Sequence, residues 1–276
     1  MKVICTIAGS DSGGGAGIQA DLKTISANGG FGTSVITAIT AQNTQEVIAA
    51  QQIPNDLIKA QFNAVFSDFD ISAIKTGMLA NASVINSVAE CIKKYKCNKY
   101  ILDPVMISKS GYHLLEQEAI DALENKLFPL ATLITPNIYE AQVLSNMKIV
   151  SLEDVEIAGR ILLRKGVSAV LIKGGHLLNE KATDTLIMPE GIEYFPSEWI
   201  ETKNTHGTGC TYSAAIATHL AKGMTIIDAV ATAKEYISGA IRYGLSLGKG
   251  SGPTDHFFYF RNREYYYWNK KLKLDS

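Results

Sequence analysis

The chain has 276 residues, of which 46% are hydrophobic and 19% charged, so it has the apolar content for a sizeable core and is not an intrinsically disordered chain. Its 26 basic and 27 acidic side chains give a formal charge of -1. No global field therefore attracts nucleic acid or an anionic membrane, and any phosphate site must be local. We expect neither nucleic acid nor membrane as a partner.

The first residues form a buried strand-like run rather than a signal peptide, and we expect a cytoplasmic protein. The four cysteines are too few for a disulfide framework in a chain of this length, and their spacing does not match a zinc site. They are Cys5, Cys91, Cys97 and Cys210. We expect free thiols.

Runs rich in Val and Ile alternate with amphipathic helical stretches along the chain. This alternation is typical of an α/β protein whose mainly parallel sheet is covered by helices on both faces. The predicted strands span residues 2–8, 32–41, 73–77, 99–103, 133–135 and 169–173. Residues 183–188 and 192–195, separated by a Pro-Glu-Gly turn, predict an antiparallel hairpin that extends the sheet.

The chain shows no repeat, low-complexity segment or linker before about residue 256. We therefore predict a single domain over residues 1–256 and a C-terminal extension over residues 257–276. In the extension, aromatic residues alternate with basic ones. This pattern favours a terminal segment that packs against the body or a second subunit over a binding arm.

A glycine-rich stretch at residues 205–210 (THGTGC) precedes a helix predicted over residues 211–222. Glycines let the backbone approach a ligand closely, and the unpaired amides and dipole at a helix start attract anions. The stretch predicts a site for a transferring phosphoryl group, with Gly207, Thr208, Gly209 and Cys210 as its candidate residues. The same field favours a thiolate at Cys210, which makes it a candidate base or nucleophile. The alternative is a small residue that only fills a helix start.

A second glycine-rich stretch, residues 8–17 (AGSDSGGGAG), follows the first strand and opens a helix that contains Asp21. Ligands bind naturally at such a strand end. The stretch has no clean Gly-x-Gly-x-x-Gly register with a following acidic partner, and the chain has no Walker A sequence. The glycines alternatively form only a tight turn.

Polar residues follow three of the predicted strands. Asp103, Asn137 and Glu140 carry the oxygen ligands that suit magnesium, although each is also a common helix cap or turn former. Lys173 ends another strand and is followed by two glycines, so it is a candidate partner for nucleotide phosphate. The alternative for Lys173 is an ordinary solvated lysine.

The loop histidines and residues 107–115 each have a purely structural interpretation as well as a functional one. His176 and His206 lie in loops, where histidine is more often a hydrogen-bonded structural residue, and we leave both outside the catalytic set. Residues 107–115 contain a Ser-Gly turn and are a candidate lid, but a fixed surface loop is equally consistent.

Six motifs occur in order along the chain: residues 17–24 (GIQADLKT), 76–79 (TGML), 102–106 (LDPVM), 135–137 (TPN), 173–176 (KGGH) and 204–210 (NTHGTGC). Together they closely resemble hydroxymethylpyrimidine/phosphomethylpyrimidine kinases of thiamin biosynthesis, over about residues 4–256. The resemblance implies a ribokinase-like three-layer α/β/α sandwich and usually a homodimer. It also implies that ATP and Mg²⁺ are used to phosphorylate 4-amino-5-hydroxymethyl-2-methylpyrimidine and then its monophosphate.

The resemblance also assigns roles by position. Gly9, Asp21, Gln42 and Met78 match pyrimidine-binding positions; Lys173 and residues 207–210 match the phosphate region; Asp103, Asn137 and Glu140 match residues around metal and nucleotide. Cys210 matches the catalytic base. Much of the wider superfamily resembles this chain but carries Asp there, so the cysteine favours the pyrimidine kinase branch.

Three other functions compete with this one. A pyridoxine or pyridoxal kinase acts on a similar small hydroxymethylated ring, and this chain is open to that activity alone or as a second one. A nicotinamide-dependent oxidoreductase is disfavoured by the missing dinucleotide fingerprint. A catalytically silent ligand sensor is disfavoured because metal, phosphate and base candidates are all retained.

Overall fold

A computed structural model describes residues 1–106, 117–174 and 182–261. Its strands are β1 Val3–Asp11, β2 Phe31–Gln42, β3 Val47–Gln52, β4 Ile71–Thr76, β5 Tyr100–Leu102, β6 Leu133–Ile134, β7 Val170–Ile172, β8 Asp184–Met188 and β9 Gly191–Phe195. They form one sheet in the order β3-β2-β1-β4-β5-β6-β7-β8-β9. The six strands from β2 to β7 in this order pair in parallel, and β3, β8 and β9 pair antiparallel at the two edges.

Helices cover both faces of the sheet. They are α1 Gly17–Ala27, α2 Asn55–Phe66, α3 Ala82–Tyr95, α4 Gln117–Ala122, α5 Ile138–Ser145, α6 Leu152–Arg164, α7 Thr208–Ala221, α8 Ile226–Arg242 and α9 Phe258–Arg261. Among the described helices, none combines the length and the apolarity needed to cross a membrane.

The strands are buried on both faces because successive side chains point to opposite sides of a strand. On β4, Ile74 packs into the core formed with α2 to α6, while its neighbour Ala73 packs into the core formed with α1, α7 and α8. Leu102 and Ile101 on β5 divide in the same way. Two cores separated by one sheet make the three-layer α/β/α sandwich that was predicted.

The six predicted strands and the hairpin are confirmed, with ends that differ from the structure by no more than three residues. Strand β3 was not predicted, because most of its side chains are exposed and its sequence lacks an apolar alternation. Helix α7 begins at Thr208, three residues before its predicted start. The candidate lid at residues 107–115 and His176 lie outside the described residues.

The chain after residue 256 packs against the body as far as it is described. Phe258 on α9 is fully buried and contacts the rings of Tyr236 and Tyr243. The Phe258 side chain thus fills the core beside α8. The domain boundary at residue 256 stays a prediction.

Candidate active site

A cavity of about 950 Å³ opens where the parallel strands end. This is the edge at which open α/β sheets bind ligands. The structure brings most of the predicted residues to its wall: Gly9, Gln42, Met78, Asp103, Asn137, Glu140, Lys173, Gly207, Thr208, Gly209 and Cys210. Asp21 is the one predicted site residue that does not line it.

One end of the cavity, the substrate end, is formed by Gly9, Gln42 and Met78. A Cβ atom at Gly9 would overlap the Met78 terminal methyl group, so glycine at this position leaves room for the methionine where it lies. The flexible thioether offers an apolar surface, and the Gln42 amide offers both a donor and an acceptor. This combination suits a small aromatic ring with polar edges.

The structure places Asp21 beside a buried lysine, and its predicted contact with the pyrimidine stays a prediction. Its side chain is fully buried and accepts hydrogen bonds from the Lys75 ammonium at 2.9 and 3.0 Å and from the Thr6 hydroxyl at 2.5 Å. Burial disfavours the charge of Lys75, but Asp21 and Cys210 raise its pKa above the usual value. Asp21 therefore neutralises a buried lysine beneath the site.

Lys75 was not predicted from the sequence as part of the site. It occupies the predicted strand at residues 73–77, and a lysine inside an otherwise buried strand was the available signal, because Lys is almost never fully buried without a partner. Its partner lies 54 residues away on α1 and is invisible to local patterns.

Asp103 and Lys173 form an ion pair in the middle of the cavity. The Lys173 ammonium lies 3.1 Å from the Asp103 carboxylate, which also accepts from Thr135 and Ser213 at 3.3 and 3.2 Å. Burial alone would raise the pKa of Asp103, but Lys173 and Lys75 hold it below its usual value. The alternative of an ordinary solvated lysine at position 173 is thereby excluded.

Asn137 and Glu140 form a capping box at the start of α5. The Asn137 side chain accepts from the Glu140 amide at 2.9 Å, and the Glu140 carboxylate accepts from the Asn137 amide at 2.8 Å. The helix-cap alternative thus holds for both residues, and their predicted role at a metal stays a prediction. Burial, together with the Asp103 charge, raises the pKa of Glu140 to about 7 despite the opposing charge of Lys173.

The donor set fits magnesium only in part. Within residues 1–106, 117–174 and 182–261, no three His, Cys, Asp or Glu side chains cluster as a metal site. Mg²⁺ is usually held by one or two carboxylates together with waters and substrate phosphates. Asp103 and Glu140, whose charges repel each other at the cavity wall, fit that pattern.

Another part of the cavity wall is the phosphoryl loop, residues 207–210. Gly207 has φ +80°, and a Cβ atom there would overlap the Gly15 carbonyl oxygen. Thr208, Gly209 and Cys210 form the first turn of α7, where amides lack the usual partner four residues back. A Cβ atom on Gly209 would lie 3.4 Å from the Lys173 ammonium. The loop therefore presents amides and the positive helix end beside a lysine.

The predicted thiolate at Cys210 is not favoured in the ligand-free protein. Burial raises the pKa of the thiol to about 11, and the nearby carboxylates of Asp21 and Asp103 raise it further. The charge of Lys75 and a hydrogen bond from the Gly17 amide oppose this rise without overcoming it. Burial therefore outweighs the favourable contacts, and the neutral thiol is the favoured form of Cys210.

A buried carboxylate at the cavity wall, Asp11, was also missed. It is the last residue of β1 and lies within the glycine-rich stretch, which was the available signal. His206 Nε2 lies 2.9 Å from Asp11 Oδ2 and 3.3 Å from the Gln42 side-chain nitrogen. His206 is thus a hydrogen-bonded loop residue, as its type suggested.

A second wing of the cavity is more apolar. Trp199, Ile237 and Ile241 line it, and at its margin Lys234 pairs with Asp184 at 2.7 Å. The other Asp184 oxygen accepts from the Gly174 amide at 2.9 Å. This wing has the character of a pocket for an aromatic base, joined to the phosphoryl loop.

Residues 11–255 match the family model described as phosphomethylpyrimidine kinase. The chain is 48% identical over 265 residues to hydroxymethylpyrimidine/phosphomethylpyrimidine kinase of Haemophilus influenzae, an alignment that covers 95% of this chain and 98% of the relative. The structure of phosphomethylpyrimidine kinase from Clostridium difficile is similar with a TM-score of 0.79 and 46% identity, covering 87% of this chain and all of that one. An ADP complex of Bacillus subtilis pyridoxal kinase has a TM-score of 0.89 and 40% identity, covering 95% of this chain and all of that one.

Proposed function

The chain belongs to the phosphomethylpyrimidine kinase family, and on this premise we propose that it uses ATP to phosphorylate 4-amino-5-hydroxymethyl-2-methylpyrimidine and then the resulting monophosphate. The observation that carries the proposal is one continuous cavity. It joins the substrate end at Gly9, Gln42 and Met78 to the phosphoryl loop and to the apolar wing at Trp199. Such a cavity accommodates acceptor and nucleotide side by side.

At the substrate end, Met78 packs against the ring face, and the Gln42 amide pairs with the aminopyrimidine edge. An amide matches an edge that carries both a ring-nitrogen acceptor and an amino donor. This contact leaves the hydroxymethyl group directed toward the phosphoryl loop. The ring is held by shape and by two polar contacts.

At the nucleotide end, the apolar wing holds the base, and the phosphates extend toward Lys173. The Lys173 ammonium and the amides of Gly209 and Cys210 stabilise the charge on the transferring group. Asp103 and Glu140 would hold Mg²⁺, which supplies further neutralisation of the phosphates when bound. Transfer then depends mainly on alignment and charge.

Cys210 accepts the proton of the attacking hydroxyl group in this proposal. Because the pKa of its thiol is about 11, the thiolate fraction near pH 8 is about one in a thousand and rises about tenfold per pH unit. The rate of transfer should therefore rise with pH between about pH 7.5 and 9.5. Cys210→Asp should abolish this rise and retain more activity than Cys210→Ala.

The experiment that tests the function is formation of ADP by the purified protein with ATP and Mg²⁺, with and without hydroxymethylpyrimidine. ADP that forms only with the pyrimidine supports the proposal. No pyrimidine-dependent ADP would refute it. A flat pH profile from pH 7.5 to 9.5, or equal loss in both Cys210 variants, would refute the base role alone.

The similarity to Bacillus subtilis pyridoxal kinase favours a second candidate function, phosphorylation of pyridoxal. Pyridoxal is also a hydroxymethylated aromatic ring of similar size, and Met78 would pack against it equally well. We propose it as a side activity. The same assay with pyridoxal in place of the pyrimidine tests it, and a higher kcat/KM for pyridoxal would reverse the order of the two candidates.

The family resemblance also carries three proposals that concern the whole protein: a homodimer, dependence on Mg²⁺ and a cytoplasmic location. Sedimentation equilibrium tests the first, because a dimer has twice the chain mass of 29.9 kDa. Chelation of divalent cations tests the second. Fractionation of the source cells tests the third.

A further inference from the structure

The first glycine loop, residues 11–16, is organised around the carboxylate of Asp11. This carboxylate is almost fully buried and accepts backbone hydrogen bonds from Gly13 at 2.8 Å, Gly15 at 3.0 Å and Ala16 at 2.7 Å. Its fourth donor is His206, which is 195 residues away in the chain. One carboxylate therefore shapes the first glycine loop and ties it to the residue that precedes the phosphoryl loop.

The imidazole of His206 lies directly on the first glycine loop. The backbone of His206 is held by other contacts: its amide donates to the Gly252 carbonyl at 3.0 Å, and its carbonyl accepts from the Thr254 amide at 3.3 Å. A Cβ atom on Gly15 would overlap the imidazole, and a Cβ atom on Gly207 would overlap the Gly15 carbonyl oxygen. The two loops thus pack in direct contact, and the hydrogen bond from His206 to Asp11 joins the residue before the phosphoryl loop to the first glycine loop.

The first glycine loop also contacts the substrate end. The Ser12 hydroxyl donates to the Gln42 carbonyl at 2.7 Å and accepts from the Gln42 amide at 2.7 Å. The Gln42 side chain lies 3.3 Å from His206. The first glycine loop therefore sits between the group that recognises the ring and the loop that stabilises the transferring phosphoryl group.

We propose that the hydrogen bond between Asp11 and His206 is a positioning contact for phosphoryl transfer, which sets the distance and angle between the substrate end and the phosphoryl loop. This inference rests on the proposed kinase function and assigns to His206 a role in kcat without contact to the reacting atoms. In-line transfer is sensitive to alignment, and a displacement of about 1 Å can cost about 100-fold in rate. Loss of the contact should therefore lower kcat more than it weakens nucleotide binding.

The charge state of Asp11 fits this role. Burial alone would raise its pKa, but the hydrogen bonds from His206 and Ala16 lower it below the usual value. Asp11 therefore remains an acceptor at neutral pH. Since three backbone amides still bond to it when His206 is replaced, the carboxylate is not left unpaired in such a variant.

The test compares His206→Gln with His206→Leu. Glutamine places an amide donor near the position of imidazole Nε2, while leucine fills similar space without a donor. For each variant, kcat and the KM values for ATP and pyrimidine are measured alongside the thermal midpoint. We expect kcat to fall by about 10- to 100-fold in His206→Leu and to recover to within about threefold of wild type in His206→Gln, with the KM for ATP changed by less than about threefold.

Equal loss of kcat in both variants, or wild-type kcat in both, would overturn the inference. In either case kcat would not depend on whether residue 206 carries an N–H donor. Should His206→Leu fail to fold, His206→Met tests the same bond, because the thioether side chain fills similar space and has no N–H donor. It must lower kcat at least as far as expected for His206→Leu; retention of wild-type kcat would overturn the inference.

Failure of the inference is separable from failure of the proposed function. If the wild-type protein forms no ADP with either the pyrimidine or pyridoxal, the kinase proposal fails. If the wild type turns over and the His206 variants do not separate as described, only the positioning role fails. Gly15→Ala gives an independent check: its methyl group would overlap the imidazole and displace it, so kcat should fall in a chain that keeps His206, and wild-type kcat would count against the positioning role.

Discussion

Gly209→Ala should hinder binding of the transferring phosphoryl group without lowering the stability of the fold. The added methyl group would lie 3.4 Å from the Lys173 ammonium and 3.7 Å from an Asp103 oxygen, which are ordinary contact distances. The backbone at Gly209 is helical, so alanine fits without strain and gains about 0.8–1 kcal/mol of helix propensity at most. The fold therefore tolerates the substitution.

The same methyl group occupies the region between the phosphoryl loop and Lys173, where the transferring group must lie. Displacement of that group by about 1 Å should reduce kcat/KM for ATP by about 100-fold. The thermal midpoint should stay constant or rise by about 1–3 °C. Steady-state kinetics at varied ATP and a thermal melt of the same preparation measure both quantities.

Two matched glycines serve as controls. Gly191→Ala adds a methyl group with nothing within 4 Å, so activity and midpoint should both remain at wild-type values. Gly207→Ala forces a residue with φ +80° to carry a Cβ atom that overlaps a backbone oxygen, so stability and activity should fall together. Wild-type kcat/KM in Gly209→Ala would refute the placement of the phosphoryl group.

Three further predictions concern parts of the molecule outside the phosphoryl loop. Lys75→Met leaves Asp21 buried without its cation and should lower the free energy of unfolding in urea by about 3–5 kcal/mol, whereas Lys59→Met at a surface ion pair should leave it unchanged. Burial and nearby cations lower the pKa of His256 from 6.5 to about 4, so the unfolded chain takes up the proton first as pH falls. The free energy of unfolding should then drop by about 2 kcal/mol between pH 7 and pH 5 through this residue, and His256→Gln should remove that share of the loss. Trp199→Ala should raise the KM for ATP by about tenfold and leave kcat within about threefold; an unchanged KM would place the nucleotide base elsewhere.

The arrangement of the sheet could be predicted because buried parallel strands carry a strong local signal. Strands β4 to β7 are short runs rich in aliphatic residues, and the polar residue after each of β5, β6 and β7 marks the ligand-binding edge. Strand β3 escaped prediction because it is an exposed edge strand held mainly by backbone pairing with β2. Edge strands of this kind lack the apolar pattern on which such predictions depend.

The pairing of side chains within the site could not be predicted in the same way. Asp21 and Asp103 are both aspartates near glycine-rich or strand-end segments, yet one faces a buried lysine and the other lines the cavity. The pKa of Cys210 depends on the balance between burial and three charges contributed by distant parts of the chain. Sequence indicated which residues gather at the sheet edge, and only the fold shows which of them neutralise one another.

The most direct test of the central claim is the mass of the product that forms from ATP, Mg²⁺ and 4-amino-5-hydroxymethyl-2-methylpyrimidine. The proposed function predicts that one phosphoryl group is added first and that the monophosphate is then converted to the diphosphate by the same protein. Pyridoxal supplied separately should give at most a slower single addition. Absence of any phosphorylated pyrimidine, with or without turnover of pyridoxal, would contradict the account.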